Sequence, residues 1–396
     1  MNTQEIMEMG QKYVMNTYGR LPMALVRGEG AYVWDAEGKQ YLDFVSGLAV
    51  NSLGHCHPKV VEAIREQAGK LMHVSNMYWI EPQVQLAQML VENSALDKAF
   101  FCNSGAEANE GAIKLARKYA RKYLGPEKYE IITFDKSFHG RTLAAITATA
   151  QPKYQKDLDP LPQGFKYVPF NDFAALEAAV SPHTCAILME PIQGEGGVNV
   201  ADYEFMQMVK QLCNDKNLLL IFDEVQCGLA RTGKLFAYEH FAVEPDIMTL
   251  AKAVAGGFPM GVLMAKEKVA ECFQPGDHAS TFGGNPLAAA AGCAAVSILA
   301  DQAFLAETTE KGRYFAEQLN KLQSKYEFIT DIRGKGLIVG LGITVEGKQI
   351  VDACLANGLL INCVGSNVLR FLPPLIVSKD HVDTAVAIID EVMSRL

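Results

Sequence analysis

The chain has 396 residues, of which 49% are hydrophobic and 20% charged, and its formal net charge is −9. The length predicts two or three domains, and the composition is typical of a compact soluble protein. An acidic balance without a basic patch argues against a nucleic-acid partner. Nine cysteines without a CxxC pair favour reduced thiols. The N-terminus lacks a signal-peptide core, and the apolar run 287–300 is short for a membrane span, so we expect a cytoplasmic protein without membrane contact.

The predicted elements change in character along the chain. Residues 1–50 carry short strands between turn signals and are expected to pack with the C-terminal part. In residues 51–284, helical patterns at 106–123, 173–180 and 203–214 alternate with apolar strands at 99–102, 130–134, 166–170, 185–190, 218–222, 246–251 and 261–265. This alternation predicts a large α/β domain with a mostly parallel sheet of about seven strands. Residues 285–396, with helices at 303–326 and 379–395 and short strands at 338–343, 359–361 and 368–371, predict a smaller α+β domain.

Two ionisable residues follow strands of the large domain, where α/β sheets bind their ligands. Asp223 directly follows the apolar run 218–222, and a carboxylate there needs a cationic or hydrogen-bonding partner. A pyridinium nitrogen fits, and so does a helix cap or a metal ion. Lys252 follows the run 246–251, where partial desolvation lowers the pKa of an amine and makes it a nucleophile toward an aldehyde. Taken alone, this lysine also fits an ordinary surface position.

Three loops add groups that suit a phosphorylated ligand with a carboxylate substrate. Ser104, Gly105 and Ala106 open a helix, where exposed N–H groups bind anions or merely cap the helix. Phe138 is suited to covering a flat ring, and Arg141 to pairing with a carboxylate, although the loop is equally explained without a ligand. A third loop carries the hydroxyls of Ser280 and Thr281, which suit a second phosphate contact or belong to a plain turn.

Other motifs indicate less. The glycines at 334, 336 and 340 have the wrong spacing for a dinucleotide fingerprint and run into a strand, so they predict a turn. His55-Cys56-His57 has no second ligand pair, which favours a turn over a metal site. No P-loop or GxSxG motif is present.

Taken together, the motifs resemble those of the class III, ω-type aminotransferases, over nearly the whole chain. The segments that carry the resemblance are residues 53–58, 103–109, 138–142, 190–197, 223–226, 250–252 and 370–374. The resemblance implies pyridoxal 5′-phosphate (PLP) as the cofactor, the PLP type I fold, no metal and a homodimer with shared active sites.

The resemblance also implies a role for each candidate residue. Lys252 binds PLP as a Schiff base and Asp223 pairs with the ring nitrogen. The remaining cofactor contacts are Ser104, Gly105 and Ala106 at the phosphate, Phe138 and Val225 on the two ring faces, Gln226 near the phenolic oxygen, and Thr281 of the partner subunit. The implied substrate contacts are Tyr18, Arg141, Ser280 and the switch pair Glu195 and Arg370.

Residues 73–78 and 81–83 most resemble the subgroup that acts on acetylornithine. This likeness implies transfer of the distal amino group of N2-acetyl-L-ornithine to 2-oxoglutarate. Ornithine, 4-aminobutyrate and succinyldiaminopimelate are alternative donors within the family. A PLP-binding protein of the same fold without turnover is the alternative of a different class.

Overall fold

The computed structural model describes all 396 residues, and its N-terminal segment forms a small sheet followed by helices. In chain order this segment contains α1 (Thr3–Tyr13), β1 (Leu25–Glu29), β2 (Tyr32–Asp35), β3 (Gln40–Asp43), α2 (Ser46–Ala49), α3 (Pro58–Ala68) and α4 (Glu81–Glu92). The first helix begins with a capping box between Asn2 and Glu5, which the sequence analysis did not predict. The short α2 is a left-handed turn, because φ is positive at all four of its residues.

The central part of the chain alternates strands and helices. It contains β4 (Lys98–Cys102), α5 (Gly105–Tyr123), β5 (Glu130–Phe134), α6 (Leu143–Ala148), α7 (Pro152–Gln155), β6 (Phe165–Val168), α8 (Phe173–Ala179), β7 (Thr184–Met189), β8 (Ile192–Gln193), β9 (Asn199–Val200), α9 (Tyr203–Lys216), β10 (Leu219–Asp223), β11 (Ile247–Leu250), β12 (Gly261–Ala265) and α10 (Glu267–Ala270). Each of the seven strands expected here is present, with ends moved by at most two residues.

These strands build one seven-stranded sheet in the order β4-β12-β11-β10-β7-β5-β6. Only β12 runs antiparallel to its neighbours, so the prediction of a mostly parallel sheet is confirmed. Every residue of β7 and β10 is buried, as expected for central strands covered on both faces. Asp223 pairs with Thr249 across β10 and β11, and Phe222 with Met189 across β10 and β7. The residues that follow these three strands therefore meet at one end of the sheet.

The remaining elements lie after residue 285. They are α11 (Pro286–Leu299), α12 (Gln302–Lys325), β13 (Ile329–Lys335), β14 (Ile338–Ile343), α13 (Gly347–Ala356), β15 (Leu359–Leu360), β16 (Asn362–Val364), β17 (Val368–Phe371) and α14 (Lys379–Met393). Of these elements, β13, α13 and β16 were not predicted from the sequence. The glycine-rich segment at 334–340 forms the turn of the β13–β14 hairpin, as its spacing predicted.

The N-terminal segment and the C-terminal part share a sheet, since β15 pairs in parallel with β3 through Leu359 and Leu42. A second four-stranded sheet has the order β13-β14-β17-β16. The boundaries at residues 50 and 284 stay a prediction. All nine cysteines are free thiols. None of the helices is by itself long and apolar enough to cross a membrane, although α11 and α12 together meet that criterion across a 67° bend.

Candidate active site

A cavity of about 450 Å³ opens at the carboxyl ends of the central strands. Most residues predicted for the site line it, namely Ser104, Gly105, Ala106, Phe138, Arg141, Glu195, Asp223, Val225, Gln226 and Lys252. The other predicted residues lie around this set. Arg370 is buried behind Glu195, Ser280 is half-buried, and Tyr18 and Thr281 are exposed. We call Asp223, Lys252 and residues 104–106 the floor of the cavity.

Asp223 is the most strongly hydrogen-bonded group of the floor. Its side chain is buried, and Oδ2 accepts hydrogen bonds from Asn109 Nδ2 at 2.7 Å and from His139 Nδ1 at 2.8 Å. Oδ1 accepts one from the Val225 amide at 3.0 Å. A buried carboxylate needs such partners, and these three donors hold Asp223 in one orientation at the end of β10.

Lys252 follows β11 in a short 3₁₀ turn with a backbone φ of +47°, a strained value for a residue with a side chain. Burial lowers the pKa of its amine, while the nearby carboxylates of Glu195 and Asp223 act in the opposite direction. A lower pKa increases the fraction of neutral, nucleophilic amine at a given pH. The lysine therefore has the properties expected for attack on an aldehyde.

The third part of the floor is the N-terminus of α5, a helix of 19 residues. Ser104 is the N-cap, and its Oγ accepts a hydrogen bond from the Glu107 amide at 3.2 Å. The amides of the first helical turn have no partner inside the helix and are suited to an anion. A Cβ atom at Gly105 would lie 2.8 Å from Val225 Cγ1, so only glycine fits between the helix and that side chain.

Glu195 and Arg370 form an ion pair at the side of the cavity. Arg370 Nη1 donates to Glu195 Oε1 at 2.6 Å and to the Gly194 carbonyl at 3.0 Å. Gln226 Nε2 donates to the same Glu195 oxygen at 3.2 Å. Burial raises the pKa of Glu195, but the Arg370 guanidinium outweighs that effect and the net shift is downward. Glu195 is therefore held as a carboxylate, and Arg370, whose side chain is buried, is already paired.

Arg141 differs from Arg370 because its guanidinium lies against aromatic rings rather than a carboxylate. Its Cζ is 3.7 Å from the centre of the Tyr154 ring and 5.5 Å from that of Phe138. The side chain is exposed and borders the cavity. A planar cation supported on an aromatic face keeps its donors available for a substrate carboxylate.

Ser280 and Thr281 lie on a loop next to the cavity, whereas Tyr18 contacts Arg20. Ser280 Oγ accepts hydrogen bonds from Asn103 Nδ2 at 3.1 Å and from the Gly283 amide at 3.0 Å, which joins its loop to the cavity wall. Thr281 next to it is exposed. The loop carrying Ser280 also packs on residues 73–83, since Asn76 Nδ2 donates to the Ser280 and Gly283 carbonyls. We call residues 71–84 and 278–285 the mouth.

Four residues of the site were not identified as functional candidates. Glu190 lies at the end of β7, borders the cavity and accepts a hydrogen bond from the Phe138 amide at 3.1 Å. Burial, reinforced by the neighbouring charge of Asp223, raises the pKa of Glu190 well above its usual range. Its position after a central strand was a usable signal. Asn109 and His139 contact Asp223, and Tyr154 contacts Arg141. Their positions in the sequence do not by themselves indicate these contacts.

The floor fits the cofactor that the sequence resemblance implies. The first turn of α5 suits the phosphate, the Asp223 carboxylate suits a protonated ring nitrogen, and the Lys252 amine suits the aldehyde. Val225 and Phe138 both border the space that a flat ring would need. The glycine required at position 105 is an independent sign that α5 and Val225 are closely matched at this place.

Comparison with known proteins agrees with this geometry. The family described as aminotransferase class III matches residues 13–393. The chain is 54% identical to an acetylornithine aminotransferase of Methanocaldococcus jannaschii over 100% of both chains, and 57% identical to one of Caldanaerobacter subterraneus over 98% of both. Among solved structures, an ornithine aminotransferase from Toxoplasma gondii has a TM-score of 0.96 at 33% identity, covering 100% of this chain and 96% of that one. An acetylornithine aminotransferase from Elizabethkingia anophelis has a TM-score of 0.89 at 36% identity, covering 100% of both.

Proposed function

The chain belongs to the class III aminotransferases, and we propose that it moves the distal amino group of N2-acetyl-L-ornithine to 2-oxoglutarate. The products are N-acetyl-L-glutamate 5-semialdehyde and L-glutamate, a step of arginine biosynthesis. The family is PLP-dependent and has the type I fold, which confirms the cofactor and fold class predicted from the sequence. The location in the cytoplasm stays a prediction.

The geometric observation that carries the proposal is that only one of two arginines is paired with a carboxylate. Arg141 borders the cavity without a carboxylate partner, whereas Arg370 forms an ion pair with Glu195. A donor with one carboxylate needs one arginine, and 2-oxoglutarate with two carboxylates needs both. The choice of acetylornithine as donor rests on the relatives that bear this name and align over the full length.

Arg141 would bind the α-carboxylate of the donor through a bidentate contact, which directs the distal amine toward Lys252. When bound, PLP supplies an electron sink for the charge that develops at the reacting carbon. Asp223 would keep the ring nitrogen protonated. The neutral Lys252 amine would take the proton from the amine-bearing carbon and return it, because its lowered pKa suits a general base.

Glu195 and Arg370 would act as a switch between the two substrates. With the monocarboxylate donor bound, the pair stays closed, since an unpaired buried arginine would be strongly destabilising. When 2-oxoglutarate enters, its carboxylate beside the keto group would replace Glu195 on Arg370, and its far carboxylate would bind Arg141. Gln226 already donates to Glu195 and would help to guide this movement.

We also propose that the working unit is a homodimer in which each mouth is completed by the other subunit. Trp79 is 95% exposed, Met77 79%, Tyr78 64% and Phe282 59%, an apolar surface far too concentrated for an isolated chain. Thr281 lies on the same surface but outside its own cavity. It would reach the phosphate site of the partner.

A panel of amino donors tests the assignment. The purified holoenzyme is assayed with 2-oxoglutarate and acetylornithine, ornithine, 4-aminobutyrate or succinyldiaminopimelate, and glutamate formation is measured. We expect the highest kcat/KM with acetylornithine. A higher value for another donor would overturn the choice of substrate but not of family. Absence of transfer from every donor would favour a PLP-binding protein without turnover.

A further inference from the structure

Behind the floor, four buried polar side chains form one continuous set of hydrogen bonds. Thr249 Oγ1 donates to Asn109 Oδ1 at 2.8 Å, and Asn109 Nδ2 donates to Asp223 Oδ2 at 2.7 Å. His139 Nδ1 contacts the same Asp223 oxygen at 2.8 Å. The relative exposure of these residues is 0% for Thr249, 1% for Asn109 and His139, and 3% for Asp223.

The direction of these hydrogen bonds is determined by the acceptors. Asn109 Nδ2 lies against two oxygen acceptors, Asp223 Oδ2 and the His139 carbonyl at 2.8 Å. Turning the amide over would place its oxygen against both of them and remove a donor from each. The Thr249 hydroxyl on the other side donates to Oδ1 and stabilises the observed orientation. Asp223 Oδ2 thus receives donors from the protein, while Oδ1 accepts a single one, from the Val225 amide.

The fold explains why Thr249 occupies this place. β10 and β11 are parallel neighbours, and Asp223 and Thr249 are paired in their register. Asn109 lies one turn inside α5 and packs across both strand ends. Thr249 itself does not border the cavity, so it has no contact with a ligand there.

We propose that Thr249 is a positioning residue for the cofactor ring, acting through Asn109 on the Asp223 carboxylate. By fixing the amide it keeps a donor on Oδ2, which holds the Asp223 carboxylate in the orientation that presents a free lone pair to the ring nitrogen. Because the orientation of this carboxylate matters only when the ligand has a basic ring nitrogen, Thr249 affects the binding of that nitrogen and of no other part of the cofactor. This inference rests on the PLP dependence of the family and is independent of the amino donor.

Thr249→Val and Thr249→Ser form a matched pair for the test. Valine keeps the volume of threonine and removes the hydroxyl, whereas serine keeps the hydroxyl. The dissociation constant of each apoenzyme is measured for PLP and for an analogue in which the ring nitrogen is replaced by CH. For Thr249→Val we expect PLP affinity to fall about three- to tenfold, the value of one buried hydrogen bond, with unchanged affinity for the analogue. Thr249→Ser is expected to bind both ligands like the original protein.

An equal loss of affinity for both ligands would show a merely structural role and overturn the proposal. Unchanged affinity for both would overturn it as well. If Thr249→Val does not fold, Asn109→Ala is compared with the same two ligands, and the same selective loss for PLP is required. No amino donor enters these measurements, so they separate this inference from the choice of substrate.

Discussion

The floor and the mouth of the cavity are built in opposite ways. At the floor, Asp223 is 3% exposed and accepts hydrogen bonds from three donors, all from the same chain. At the mouth, Trp79 is 95% and Met77 79% exposed, and neither packs into the core. A single chain therefore completes the part that would hold the cofactor ring. The part that would admit substrate exposes apolar side chains, and for that reason we propose that a second copy of the chain covers it.

The largest expected effect comes from removing the reactive amine of the floor. Lys252→Ala is expected to reduce turnover by about a thousandfold or more, because neither covalent attachment nor proton transfer is then available. Turnover with acetylornithine and the visible absorbance of the holoenzyme are measured together. Lys266→Ala is the control, since Lys266 lies at the opposite end of the sheet from Lys252 and its side chain pairs with the exposed Glu244. Sustained turnover of Lys252→Ala would refute the assignment of the floor.

The proposed contact between the cavity and the substrate carboxylate is tested through Arg141. Arg141→Ala is expected to lower kcat/KM for the donor about ten- to a hundredfold, the loss of one charged hydrogen-bonded contact. Arg141→Lys is expected to restore only part of it, because an ammonium group cannot form the bidentate contact. Steady-state kinetics with the exposed Arg121→Ala as control provide the measurement. Full recovery by lysine would contradict the bidentate model.

The mouth is tested by charging its apolar surface. Trp79→Glu is expected to raise the dissociation constant of the dimer about 30-fold or more, as for an interface hot spot. Sedimentation velocity gives the mass, and activity is followed over the same concentration range, where it should fall as monomer forms. Tyr203→Glu, at an exposed residue of α9, is the control. A monomeric but fully active variant would show that the mouth needs no partner.

The switch between the two substrates is tested by Glu195→Gln. A neutral amide cannot hold Arg370 closed as firmly, so this arginine becomes available to carboxylates at all times. We expect the ratio of kcat/KM for glutamate to that for acetylornithine to increase several-fold, about the contribution of one charged contact. Both half-reactions are measured separately by single-turnover absorbance. If the ratio is unchanged, the pair is a static ion pair.

The same contrast explains what the sequence could predict. Strand ends locate Asp223 and Lys252, because consecutive apolar runs forecast a parallel sheet and its ligand edge. The strand-end rule applies to Glu190 too, but a single carboxylate there was not recognised. The roles of Asn109 and Thr249 became visible only in three dimensions, since their partners are 30 to 140 residues away. The same holds for Tyr154, whose ring face contacts the Arg141 guanidinium. The strand β16 was missed because three residues are too few to separate from a loop, whereas α13 was not predicted although it has ten residues.

The smallest expected effect concerns Glu224, which follows Asp223 but does not border the cavity. Its carboxylate accepts hydrogen bonds from the Ala237 amide at 2.6 Å and the Tyr238 amide at 2.8 Å, and burial raises its pKa from 4.5 to about 8. Because the folded chain holds this proton more tightly than the unfolded chain, the stability it contributes is complete below the lower pKa and is lost as pH rises through the higher one. Glu224→Gln cannot titrate. Its Tm is therefore expected to fall less than that of the original protein between about pH 5 and pH 9. The exposed Glu204→Gln should retain the original slope, and an equal slope for both variants would mean that the two amides already keep Glu224 ionised.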